Sequence, residues 1–214
     1  MLRTRRDLLR VGGIALATGI AGCFGSNDSP TEDGTSDETD LVTSLPTPTL
    51  GPDDAPVTVA VYEDYACPHC KTYALDTLPK IRSEYVTEGI VRYEHHDFPI
   101  PVDDRWSWQA ASAARGVQET VDVEAFFDFS TALYENQGSF SLDLIESLAE
   151  EVGADPAPIR TAADDEVYRR VLESDREQGL DAGVEGTPTV LVNGSDTSRY
   201  DWDTVSRAIE SARP

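Results

Sequence analysis

The stretch "YACPHCK", residues 65 to 71, places Cys67 and Cys70 three residues apart with Pro68 and His69 between them. Paired thiols at this spacing suit four kinds of chemistry: half of a metal site, a haem tether, a structural staple, or a redox centre. A haem tether needs histidine directly after the second cysteine, and residue 71 is Lys. Structural zinc needs four ligands, and the spare candidates are His95 and His96, adjacent on an expected strand and so directed to opposite faces. No metal is therefore expected; one of these histidines should be exposed and the other packed. A two-residue loop restricts the unfolded chain little, so a purely structural disulfide would be a weak staple.

Redox chemistry uses more of the surrounding residues. "VTVAVYED" (57 to 64) is β-branched and apolar, as in a buried strand, and "TYALDTLPKIRSEYVTEG" (72 to 89) repeats Tyr73, Leu75, Leu78, Ile81 and Tyr85 at helical spacing. The cysteines thus fall where a strand becomes a helix. Pro68 suits the first helical turn, and Pro79 should kink the interior. A thiolate at a helix N-terminus is stabilised by free amides and by the macrodipole. His69 should add a cationic or hydrogen-bonding group beside Cys67. Cys67, at the exposed junction, is the expected nucleophile, and Cys70, one turn inside, the resolving thiol.

The elements around the pair follow the same logic. "IVRYEHHDFPI" (90 to 100) reads as a second strand, giving a right-handed βαβ unit with parallel strands. Residues 103 to 182 are helical in character, with Trp106, Trp108 and Ala110 in one helix, Asp122 capping "VEAFFDFSTALYEN", and another helix from Ser141. "DEVYRRVLESDREQGLDAG" gives a longer last helix, and the aromatic stripe Phe126, Phe127, Phe129 and Tyr134 reads as core. "GVEGTPTVLVNG" (183 to 194) returns to strand with an Asn193-Gly194 hairpin turn, and Trp202, Val205 and Ile209 face inward from a terminal helix.

The order strand, C-P-H-C, kinked helix, strand, helical insertion, Thr-Pro strand, hairpin and terminal helix resembles the DsbA-like branch of the thioredoxin superfamily over residues 50 to 213. The resemblance implies an α/β thioredoxin fold with a helical insertion and a thiol-disulfide oxidoreductase working through the Cys67–Cys70 pair. It makes Cys67 the attacking and Cys70 the resolving cysteine, with Pro68 and His69 tuning the potential. Thr187-Pro188 matches the family's cis-proline loop, which offers the backbone of residue 187 to an extended substrate peptide. Neither an organic cofactor nor a metal is implied. Many relatives carry a buried acid six residues before the first cysteine; here that residue is Val61, with Glu63 and Asp64 nearby.

The first 22 residues resemble an export signal of the twin-arginine type. "MLRTRRDLLR" carries four arginines and one acid, followed by the uncharged "VGGIALATGIAG" (11 to 22), too short to span a bilayer. Ile20-Ala21-Gly22-Cys23 resembles a lipobox, in which Cys23 would be lipidated, leaving one pair of the three cysteines. Residues 24 to 50, rich in Ser, Thr, Pro and acids, are expected to form a disordered tether before a domain spanning 51 to 214. The expected place is the outer face of the cell membrane, and the expected partners are exported protein thiols and a membrane oxidant or reductant.

Charge limits the remaining classes. Among 214 residues, 40 are acidic and 17 basic, a net charge of −23, and only Lys71 and Lys80 are lysines. Cleavage before Cys23 leaves 13 basic and 39 acidic residues, a net charge near −26. Such a field repels phosphates, so no nucleic-acid partner is expected. A solvated carboxylate exterior of this kind suits halophilic, haloarchaeal proteins, where salt screens the self-repulsion. Three functions compete for the pair: oxidation of client dithiols, reduction or isomerisation of client disulfides, and peptide binding without turnover.

Overall fold

The structure is a computed structural model that describes residues 41–214. The expected export signal, Cys23 and the expected tether as far as residue 40 lie outside the described residues.

Val57–Glu63 forms strand β2, whose apolar residues fill the space between the layers on either side of the sheet. It pairs in parallel with β3 (Val91–Asp97), and β4 (Thr189–Val192) runs antiparallel along its other edge. Two-residue strands close the sheet at each side, β1 (Thr49–Leu50) on β3 and β5 (Ser195–Asp196) on β4, giving the order β1-β3-β2-β4-β5. Asn193 and Gly194, both at positive φ, make the hairpin turn between β4 and β5.

Between β2 and β3 the chain follows one helical rod: α1 (Pro68–Thr72), a π-helical turn (Tyr73–Thr77), α2 (Leu78–Ile81) and a second π-turn (Arg82–Val86). The widened turn directly before α2 accommodates the amide that Pro79 lacks, so the expected kink takes the form of a π-segment.

The insertion between β3 and β4 holds five helices: α3 (Trp106–Thr120), α4 (Val123–Glu135), α5 (Leu142–Glu151), α6 (Pro156–Asp164) and α7 (Arg169–Asp181). Asp122 and Ser141 cap α4 and α5 by accepting the amides of Ala125 and Leu144. Helix α6 is not among the elements the sequence pattern predicts, although Asp155 caps it and Pro156 opens it. Phe126, Phe127, Phe129 and Tyr134 are buried, each phenylalanine contributing about 1.5–3 kcal/mol of transfer free energy. The terminal helix α8 (Trp202–Ala212) buries Val205 and Ile209, with Asp201 as its cap.

Two expectations are corrected here. The segment 41–50 does not trail away from the domain. Val42 donates its amide to Val167 O at 2.9 Å, Val42 and Leu45 pack against Ala162, Tyr168 and Val171, and Gln118 Nε2 donates to Pro46 O at 2.8 Å. Val42 and Leu45 suffice to seat it on the helical insertion, and Leu50 anchors its end in the main core. Likewise, neither His95 nor His96 is exposed: His95 packs against Phe126 and Phe127, and His96 stacks on Tyr62 at 4.7 Å. Both faces of β3 are covered, so opposite side-chain directions lead to two buried sites.

Candidate active site

Cys67 occupies the N-cap of α1 in extended conformation (φ −78°, ψ 122°), and Pro68 sets the first helical turn where no donor is missed. Lys71 N donates to Cys67 O at 3.2 Å, closing that turn. Cys67 is 3% exposed, not openly accessible as its junction position suggests, because the Thr187 loop and the insertion lie over it; Cys70 is fully buried. Both cysteines are free thiols here.

Thr187-Pro188 lies across the pair with a cis peptide bond. The Cys67 thiol donates to Thr187 O at 3.4 Å, and Gln137 Nε2 donates to Tyr65 O at 2.8 Å and to Cys67 O at 2.9 Å. Gln137 therefore fixes the reactive turn from the helical insertion. It escaped the sequence reading because a glutamine just beyond a helix end has no local signature.

The electrostatics of the two thiols diverge. A hydrogen bond from Cys70 is the main cause lowering the Cys67 pKa to about 5; burial opposes it, while Thr187 and the amides of Cys70 and His69 reinforce it. Burial pushes Cys70 well above the ordinary thiol range, with the Cys67 interaction and the Glu63 charge adding to it. At neutral pH one sulfur is a thiolate and the other a thiol, which suits attack at one and proton storage at the other.

His69 sits apart from this arrangement. Among the described residues its imidazole makes no hydrogen bond to Cys67 Sγ; instead Nδ1 lies 2.8 Å from the Tyr200 hydroxyl. The expected support of Cys67 by the imidazole is thus replaced by support from backbone amides and Cys70.

Behind the pair, Val61 is core, and the acids are Glu63 and Asp64, both buried. Asp64 N donates to Cys70 Sγ at 3.4 Å. The Asp64 carboxylate accepts the amides of Ala66 at 2.7 Å and Ile100 at 2.8 Å, and burial outweighs these bonds to raise its pKa to about 6. Glu63 Oε2 receives His95 Nδ1 at 3.3 Å and the Tyr93 hydroxyl at 3.5 Å, while its Oε1 is buried with no hydrogen-bond partner among the described residues.

The chain of charges continues inward. His95 Nε2 donates to Asp97 Oδ1 at 3.3 Å, Arg115 Nε to Asp97 Oδ2 at 2.7 Å, and Arg115 Nη2 to Asp175. Burial alone would lower the His95 pKa, but the carboxylates of Asp97 and Glu63 raise it to about 9. The network accordingly alternates acidic and basic side chains: Glu63, His95, Asp97, Arg115, Asp175. Among the described residues no cluster of His, Cys, Asp and Glu is arranged to hold a metal.

A cleft of about 440 Å³ opens beside the cysteines, lined by Ala66, Pro68, Val102, Trp106, Gln137 and Phe140 among others. It provides an apolar wall next to the reactive sulfur.

The profile of the family described as "Thioredoxin" matches residues 43–211. The chain is 30% identical to disulfide bond formation protein D of Bacillus subtilis over 170 residues, 76% of this chain and 75% of that protein. It is 31% identical to a probable disulfide bond formation protein D of Bacillus anthracis over 173 residues, covering 75% and 76% of the two chains. Its fold is similar to that of oxidised BdbD from Bacillus subtilis, with a TM-score of 0.72 and 29% identity over 81% of this chain and 98% of that one. Chlamydia trachomatis DsbA, 20% identical with a TM-score of 0.71 over 79% of this chain and 93% of that one, shares the fold. With a thiolate and a buried thiol three residues apart at the start of α1, the chain belongs to the thioredoxin family as a DsbA-like thiol-disulfide oxidoreductase.

Proposed function

We propose that this chain is an extracytoplasmic oxidant of protein dithiols. The observation that carries the reading is the split in the pair. A Cys67 thiolate with a pKa near 5 stabilises the reduced form relative to the disulfide, and a pair whose reduced form is stabilised takes electrons from its clients.

In the cycle, a client thiolate attacks Cys67 Sγ of the Cys67–Cys70 disulfide. The S–S bond breaks, its electron pair passes to Cys70 Sγ, and a mixed disulfide forms between Cys67 and the client. A second client thiolate attacks the client sulfur of that bond, forming the client disulfide and releasing Cys67 as thiolate. Cys70 takes up a proton, since its buried site disfavours the thiolate. The buried acids nearby are Glu63 and Asp64, and Asp64, raised to about 6 and with its amide on Cys70 Sγ, is the one suited to exchange it near neutral pH. Thr187 and Pro188 present an edge for an extended client peptide, and the cleft at Trp106 and Phe140 accepts its apolar residues. The two electrons then leave to a membrane oxidant, and sulfur alone carries the exchange.

A twin-arginine-type signal and lipidation at Cys23 would hold the domain at the outer face of the membrane, with residues 24 to 40 as the acidic tether. No helix among the described residues is long and apolar enough to cross a membrane. The acidic exterior, at a net charge of −23, accords with a halophilic setting and with client peptides rather than nucleic acids as partners.

Thiol trapping in intact cells tests the direction of electron flow. The pair is expected mostly as disulfide, and a pair found mostly as dithiol would replace this reading with a reductase or isomerase.

A further inference from the structure

The Cys67–Cys70 loop contains one ionisable side chain besides the thiols, and Tyr200 holds it. Tyr200 belongs to the loop between β5 and α8, more than 120 residues along the chain, and its hydroxyl lies 2.8 Å from His69 Nδ1 with the rings tilted by 52°. The mount is fixed from two sides. Thr77 Oγ1, in the helical rod after the cysteines, donates to Tyr200 O at 3.1 Å, and Asp201 accepts Thr204 N at 3.2 Å as the cap of α8. A phenolic hydroxyl donates to a neutral imidazole and accepts from an imidazolium, so the bond survives a change in the charge of His69.

Meanwhile the partners of Cys67 Sγ are Cys70, Thr187 and the amides of His69 and Cys70, with the imidazole making no bond to it. His69 is exposed, so rotation about its χ angles meets little packing resistance once the hydroxyl is gone. We propose that Tyr200 is a positioning residue that holds the His69 imidazole away from Cys67 and so limits how strongly the pair oxidises. Released, the imidazole would add a charge-assisted bond to the thiolate and stabilise the reduced form further. Asp76, Lys80, Asp201 and Asp203, the charged groups lining the groove at Tyr200, stay in place when only its hydroxyl is removed.

The test is Tyr200→Phe, which keeps the ring and removes the hydroxyl, compared with His69→Ala and the double variant. In Tyr200→Phe the thiolate pKa of Cys67, followed by ultraviolet absorbance, should fall by roughly half to one unit. The equilibrium constant with glutathione should then move roughly three- to tenfold toward the reduced protein. In the His69→Ala background the same substitution should change neither quantity. Nitrogen NMR of the His69 ring provides a second readout, with the Nδ1 hydrogen bond present in the wild type and lost in Tyr200→Phe. An unchanged pKa in Tyr200→Phe, a rise in it, or an equal shift in the His69→Ala background would each overturn the proposal.

Discussion

Replacing Cys67 with Ser will reduce dithiol oxidation to the uncatalysed background, a loss of about three orders of magnitude or more. The substitution exchanges one atom for another at the N-cap of α1, and serine is itself a favoured capping residue, so the turn that Pro68 and Lys71 close should persist. What disappears is the chemistry. A serine hydroxyl stays protonated at neutral pH where the Cys67 thiol, lowered to about 5, is ionised, and oxygen cannot form the disulfide that stores oxidising equivalents. Circular dichroism should match the wild type while oxidation of a reduced dithiol peptide stops. Retained activity in a folded Cys67→Ser protein would place the reacting sulfur elsewhere.

The second large effect lies in the network behind the site. Arg115→Ala should destabilise the domain by roughly 3–5 kcal/mol, because it leaves the buried carboxylates of Asp97 and Asp175 facing one another without a cation between them. Asp97 is held below the ordinary carboxylate range against its burial, with Arg115 the largest favourable influence. For a domain of this size that loss corresponds to a melting temperature lower by roughly 6–20 °C, readable by thermal denaturation. A shift within a degree or two would mean that the network contributes little. Arg115 also reaches Gln118 and the carbonyl of Pro46, so the variant should loosen the segment 41–50 as well.

The contrast between these residues shows what the sequence carried. Strand β2, the Cys67 junction, β3 and the caps Asp122 and Ser141 are local: β-branched runs, a proline at a helix start and a capping side chain three residues before its amide act within a few positions. The Arg115 network is not local. Its members come from β2, β3, α3 and α7, and "AASAARGVQ" reads as a small-residue helix with one charged side chain. For His95 and His96, alternation along the strand gives opposite directions but not what covers each face. Tyr200 and Gln137 act on the reactive turn across 131 and 70 residues. Helix α6 did carry its signals in Asp155 and Pro156, but two prolines within three residues obscured them.

At the centre of this account, Cys67 is a low-pKa thiolate and Cys70 a buried thiol that resolves. Alkylation of the reduced protein with a small reagent across pH, with the modified residue located by mass spectrometry, measures both properties together. The thiolate fraction grows as pH rises through the pKa, so the rate should climb with a midpoint near pH 5 and the label should sit on Cys67, with Cys70 unmodified below neutral pH. A midpoint in the ordinary cysteine range of about 8.5, or label on Cys70 first, would contradict it.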